Sequence, residues 1–154
     1  MAFSKFPEQV KKHFQYLVDD YGFSIVTKHA PEIFGGSAVN YESDTIGVEI
    51  ALDRGEVFGR IGPRCDPPET WNDIASLILF LFPQIPEPPY EYPERWNDPD
   101  AMIEWQVARL ARITREHLAP VLKGEFSQWK QVTEYWRERG RALYKEQTGL
   151  DIPR

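Results

Sequence analysis

The sequence predicts an α+β fold, a four-stranded antiparallel meander packed against an N-terminal helix and three C-terminal helices, within a single domain spanning 1–154. Three observations lead there. The stretch 38–62 alternates apolar and polar residues with period two and is interrupted at two short turn segments, the pattern of adjacent half-buried strands. Residues 7–21 and the chain beyond 99 instead space their apolar residues by three and four, as amphipathic helices do. Hydrophobic residues make up 42% of the 154-residue chain and aromatics 14%, enough core material to argue against global disorder.

The first helix is predicted over 7–21. Pro7 suits a first turn, Gly22 suits the left-handed position after the end, and Val10, Phe14, Leu17, Val18 and Tyr21 form one stripe. Asp19 and Asp20 sit at the end of the helix that disfavours carboxylates, as solvated groups or as an acidic spot facing a partner. A first strand follows over 23–30, then a loop containing Gly35 and Gly36.

Strands over 38–43, 46–53 and 56–62 make two hairpins. A turn at Ser43-Asp44 sets Tyr41 opposite Ile46 and Val39 opposite Val48. A turn at Arg54-Gly55 sets Leu52 opposite Val57, Ile50 opposite Gly59 and Val48 opposite Ile61. Both registers gather Val39, Tyr41, Ile46, Val48, Ile50, Leu52, Val57 and Ile61 on one face; a one-residue slip would turn that set into water. The other face carries Asn40, Glu49, Ala51, Phe58 and Arg60, with Glu49 across from Arg60 as a pair contributing a few tenths to about 1 kcal/mol. Gly47 and Gly59 thin the sheet at two points, for a bulge or for the close approach of a helix.

A helix over 67–82 is capped by Asp66 or Thr70 and is apolar nearly all round at its end, which places it in the core; a buried strand over 77–82 is the competing reading. Residues 83–97 form a proline-rich loop, rigid because of Pro83, Pro86, Pro88, Pro89 and Pro93. Helices over 99–119 and 127–147 complete the chain. Asn97 or Asp98 caps the first, whose stripe is Ile103, Val107, Leu110, Thr114 and Leu118 and which Pro120 ends or kinks. The second aligns Trp129, Thr133, Trp136, Gly140 and Leu143, with Gly149 as terminator, and the two most simply form an antiparallel pair.

The net charge of −6 repels phosphate backbones, and Arg109, Arg112 and Arg115 are interleaved with Glu104 and Glu116, so no nucleic acid is expected as partner. The apolar run 74–82 is too short to span a bilayer, and Met1 to Glu8 lacks the apolar core of a signal peptide, so no membrane partner is expected. The single cysteine, Cys65, allows no internal disulfide, and a cytoplasmic location is expected.

No catalytic, metal or cofactor site emerges. His13, His29 and His117 form no ligand pair, and His117 reads as a packing or capping residue. Cys65, at the start of the expected helix, is a conceivable reactive thiol without a base to serve it. Gly35-Gly36 and Gly55/Gly59/Gly62 miss the phosphate-loop spacings, and the Asp98, Asp100 and Glu104 cluster is explained by capping of a first turn.

The run Phe14-x-x-Leu17, Tyr21-Gly22-Phe23, Val39-x-Tyr41-x-Ser43 and Val48-x-Ile50-x-x-Asp53-Arg54-Gly55-x-Val57 resembles a group of small bacterial proteins that includes immunity proteins of polymorphic-toxin and contact-dependent inhibition systems. The likeness covers about residues 10–82 and rests on turn and core positions. It implies a non-enzymatic protein that binds and occludes a cognate protein toxin, with no catalytic residue to carry over. An acidic, aromatic-rich chain is consistent with capture of a basic toxin. The expected partner-binding residues are Glu87, Tyr90, Glu91, Tyr92, Glu94 and Trp96 of the proline-rich loop, with Glu49 and Arg60 on the polar face of the sheet. The alternative is a small-molecule-binding domain or enzyme with a pocket between sheet and helices, lined by Phe58, Trp71 and Trp105.

Overall fold

The computed structural model describes residues 5–26, 37–85 and 98–150. Its centre is an antiparallel sheet of five strands in the order β1-β2-β3-β4-β5. The strands are β1 (Ser24–Val26), β2 (Ser37–Glu42), β3 (Ile46–Asp53), β4 (Glu56–Pro63) and β5 (Asn72–Asp73). The helices are α1 (Phe6–His13), α2 (Gln15–Asp19), α3 (Ile74–Leu81), α4 (Pro99–His117), α5 (Ala119–Leu122) and α6 (Trp129–Thr148). Of the first predicted strand, residues 27–30 lie outside the described residues, as do 86–97 of the proline-rich loop.

The β3–β4 hairpin has the register its turn dictates. Arg54 and Gly55 both take positive φ, 53° and 83°, the backbone whose twist matches that of the flanking strands. Leu52 then faces Val57, Ile50 faces Gly59, Val48 faces Ile61 and Glu49 faces Arg60. The β2–β3 register is a correction. Tyr41 faces Val48 and Val39 faces Ile50, two residues from the expected pairing. The cause is that the turn falls one residue later, at Asp44-Thr45: the Ser43 N–H donates to the Ile46 carbonyl at 2.9 Å and its hydroxyl accepts from the Ile46 N–H at 3.1 Å, so Ser43 pairs with Ile46. A shift of two preserves the face of every side chain, so Val39, Tyr41, Ile46, Val48, Ile50, Leu52 and Ile61 are buried as expected.

The helix expected over 7–21 breaks at Phe14, where the Leu17 N–H bonds the Phe14 carbonyl in a tighter three-residue step. The break sends Phe14 into the core, 6.5 Å from the Tyr41 ring, while Tyr16 turns to donate its hydroxyl to the Ala111 carbonyl at 2.8 Å. The helix expected over 67–82 is also corrected. Pro68–Thr70 form a 3-10 turn, Trp71 is extended, and β5 pairs with β4 before α3 begins at Ile74, capped by Asp73 rather than by Asp66 or Thr70. This supplies the fifth strand.

Trp71 causes that course. Its indole lies on the face of the sheet away from the main core, over Gly47 and Gly62, and donates to the carbonyls of Pro63 at 2.9 Å and Asp66 at 3.1 Å. A Cβ at Gly47 would stand 2.5 Å from Cζ2 of Trp71, and one at Gly62 would stand 2.6 Å from Cγ. Gly59 serves the opposite face, where a Cβ would meet Ile74 Cδ1 at 2.5 Å and Leu110 Cδ2 at 3.2 Å, so its absence lets α3 and α4 close on the sheet.

The antiparallel α4–α6 pair expected from the sequence is not the packing found. Instead α4 runs alongside α1 and α2 in the same direction: Gln9 meets Asp100, His13 meets Glu104, Tyr16 meets Ala111 and Asp20 meets Arg115. α6 rests on α3, with the Trp136 Nε1–H donating to the Ser76 carbonyl at 3.1 Å and Tyr135 edge-on to Phe80 at 5.4 Å. Gln106 of α4 is buried and clasps the β3–β4 turn, donating to the Gly55 carbonyl at 2.9 Å and accepting from the Val57 N–H at 3.0 Å.

Gly47→Ala is expected to lower stability by about 1–3 kcal/mol through overpacking, read from urea unfolding. That loss should largely vanish in a Trp71→Ala background, because the two sites touch. Gln106→Ala strands one donor and one acceptor, and a loss of about 1–3 kcal/mol is expected, together with faster amide exchange at Val57.

Candidate functional site

The two faces of the sheet differ in chemistry because the side-chain period is two. One face meets α1, α3 and α4 in the main core. The other carries, in register, Ala38, Ala51 and Phe58 in one row and Asn40, Glu49 and Arg60 in the next, with Gly47 and Gly62 under Trp71 beyond. Phe58 is 37% exposed, unusual for a large aromatic on a central strand. Arg60 is pre-ordered beside it: its Nε donates to Glu49 Oε1 at 3.0 Å and its Nη2 reaches the same oxygen. The Arg60 side chain remains 32% exposed and that of Glu49 15%. Farther along, Arg64 Nε lies 3.3 Å from Glu42 Oε2. The result is an aromatic and aliphatic strip edged by fixed ion pairs, suited to contact another surface.

Of the residues expected to bind a partner, Glu49 and Arg60 are brought together on this face. Glu87, Tyr90, Glu91, Tyr92, Glu94 and Trp96 lie outside the described residues. The sequence sets Trp71 beside Phe58 only as lining of the alternative pocket, not over Gly47 and Gly62; the pairing of those two glycines across β3–β4 is the signal that could have seated the indole there.

The pocket expected between sheet and helices takes a different form. Phe58 and Trp105 do line a cavity, together with Asp73, Gln106, Arg109 and Leu110, but Trp71 does not, and the volume is about 50 Å³. That holds a water or two, whereas ligand pockets run to roughly 300 Å³ and more. Burial raises the Asp73 carboxyl above its ordinary value, partly offset by hydrogen bonds from Ser76, the residue it caps.

A second, open groove of about 250 Å³ runs between α1–α2 and α4, lined by His13, Tyr16, Arg112, Arg115 and Glu116. Arg115 stacks on Tyr16 at 5.2 Å and pairs with Asp20 at 3.4 Å. Beside it Glu104 accepts from His13 at 3.2 Å and from Lys12 at 3.1 Å. Those contacts, His13 first, hold the Glu104 carboxyl below its ordinary value. His117 packs 5.4 Å from Phe82, the role the sequence suggested. Cys65 is exposed in a turn next to Asp66, not at the start of a helix. Tyr41, buried against Phe14, has its phenol pushed up to about 12 by desolvation.

Among the described residues no helix is long and apolar enough to cross a membrane. Within the same residues no three His, Cys, Asp or Glu side chains gather as a metal site. Comparison with protein-family profiles, curated proteins and solved structures finds no match to this chain.

Because the folded Glu104 titrates below the unfolded value, its contribution to stability is complete above the ordinary 4.5 and is lost as pH falls through the lower folded value. Comparison of wild type with Glu104→Gln across pH 2–7 should therefore show a difference of less than about 1 kcal/mol at neutral pH, closing on acidification.

Proposed function

We propose that this chain is a non-enzymatic protein-binding domain, an immunity protein that covers a cognate bacterial toxin in the cytoplasm. The observation carrying this reading is the open face of the sheet, where Phe58 stands exposed beside the pre-ordered Glu49–Arg60 pair. An exposed aromatic next to an already immobilised arginine binds with little further ordering, the combination found at energetic centres of protein interfaces. The net charge of −6 would speed encounter with a basic toxin. In this reading Glu87, Tyr90, Glu91, Tyr92, Glu94 and Trp96 extend the contact. A small-molecule site is the less favoured reading, because the cavity beneath Phe58 has only about 50 Å³ to offer.

The test is to find whether a large secreted toxin is encoded immediately upstream and to titrate its toxin domain calorimetrically, with survival of cells co-expressing the two as a second readout. Wild type should bind and protect. Phe58→Ala with Arg60→Glu should weaken binding by at least about a hundredfold, the loss of two central contacts. Tyr90→Ala with Tyr92→Ala reports separately on the loop. The proposal falls if wild type neither binds nor protects.

A further inference from the structure

We infer that the open groove between α1–α2 and α4 is a binding site for a compact oxyanion, a carboxylate or phosphoryl group held by Arg112 and Arg115. The groove belongs to the helical layer over the buried face of the sheet, so the inference is independent of the toxin reading.

The groove opens beside the break between α1 and α2. His13 ends α1 and Tyr16 lies in α2, and across from them α4 offers Ala108 and Ala111, whose short side chains keep the floor low. The space is about 250 Å³, against about 50 Å³ beneath Phe58, and approaches the roughly 300 Å³ at which ligand pockets begin. One wall is fixed: Tyr16 is buried, and its hydroxyl is tied to the Ala111 carbonyl at 2.8 Å. The Arg115 guanidinium rests over that ring, 5.2 Å from its centroid. A guanidinium laid on an aromatic face keeps the N–H groups of its edge for acceptors in its own plane. Arg112, three residues earlier on the same helix, lines the same groove.

The charges around the groove give the sign of the ligand. Glu104 is engaged by Lys12 at 3.1 Å and by His13 at 3.2 Å. Asp20 is engaged by Arg115 at 3.4 Å, and Glu116 lies 4.0 Å from Nε2 of His117. Of these charged groups Arg112 alone has no hydrogen-bond or ion-pair partner among the described residues. Like charges three residues apart on a helix repel one another, and an anion bridging Arg112 and Arg115 turns that repulsion into attraction. The fork of N–H groups on each guanidinium matches two oxygens of one carboxylate or phosphoryl group, which a spherical halide does not offer. A cationic or an apolar ligand gains nothing from the pair. Asp20 competes for Arg115 and the groove is open to water, so the affinity is modest.

Amide correlation spectra of the full chain, titrated at constant ionic strength with citrate, phenyl phosphate or chloride, test the site. Citrate and phenyl phosphate probe the carboxylate and phosphoryl sources of the same chemistry. At least one of them should shift the Tyr16, Ala108 and Ala111 amides saturably, with a Kd of about 1 mM, while chloride does not. Arg112→Ala should weaken that binding by about tenfold or more and, having no partner to lose, leave thermal unfolding unchanged. Arg112→Lys keeps the charge without the fork and should recover only part of the affinity. Arg139→Ala on α6, away from the groove, should bind as wild type does. The inference is overturned by shifts that never saturate or that chloride reproduces, by saturable shifts centred elsewhere, or by undiminished binding in Arg112→Ala. Full recovery in Arg112→Lys would also overturn it, since diffuse attraction would then suffice.

Discussion

The seating of one indole on two glycines governs the rest of this fold. With Gly47 and Gly62 side by side on β3 and β4, the sheet presents a bare strip of backbone, and Trp71 fills it while bonding the carbonyls of Pro63 and Asp66. This anchors the turn that brings the chain back along β4 as β5. β5 in turn aims Asp73 to cap α3 and sets Ile74 against Gly59 on the other face. The position of α3, and through it that of α6, follows from a contact made on the opposite side of the sheet.

The same contact divides the labour between faces. The buried face is closed by α1, α3 and α4; there Gln106 clasps the hairpin turn and Tyr16 is held to Ala111, while the Tyr41 hydroxyl is buried without a hydrogen-bond partner. The other face is stiffened by Trp71 and by the Glu49–Arg60 pair without a comparable layer of described helices. Rigidity there costs exposure of Phe58, an arrangement that makes sense for a surface whose work is contact.

Much of the architecture was legible because it is written locally. Arg54-Gly55 determines a turn, the turn determines a register, and the register puts Glu49 beside Arg60; Gly22 and Gly149 likewise mark helix ends that the backbone takes at φ 71°. What escaped was written at a distance. Ser43 moved one turn along by a residue, through a side-chain hydrogen bond that alternation cannot reveal. Proline and tryptophan together unwound the first part of an expected helix into a 3-10 turn and a strand, since the indole gained two hydrogen bonds only in the extended course. The partners of His13 and of the β3–β4 turn, Glu104 and Gln106, are supplied by a helix far along the chain. The candidate surface was half legible for the same reason: its ion pair is a register statement, whereas the company of Phe58 and Trp71 is a matter of tertiary packing.

The parallel alignment of α1 and α2 with α4 bears on how the chain is made. Gln9, His13, Tyr16 and Asp20 find their mates, Asp100, Glu104, Ala111 and Arg115, only after the sheet and α3 have already been synthesised. The segment holding Phe6, Val10 and Leu17 meets β2 early but completes its burial only when α4 has been made, while the meander can already form from near neighbours. Assembly of this fold thus starts from the meander, and α1 and α2 complete their docking late.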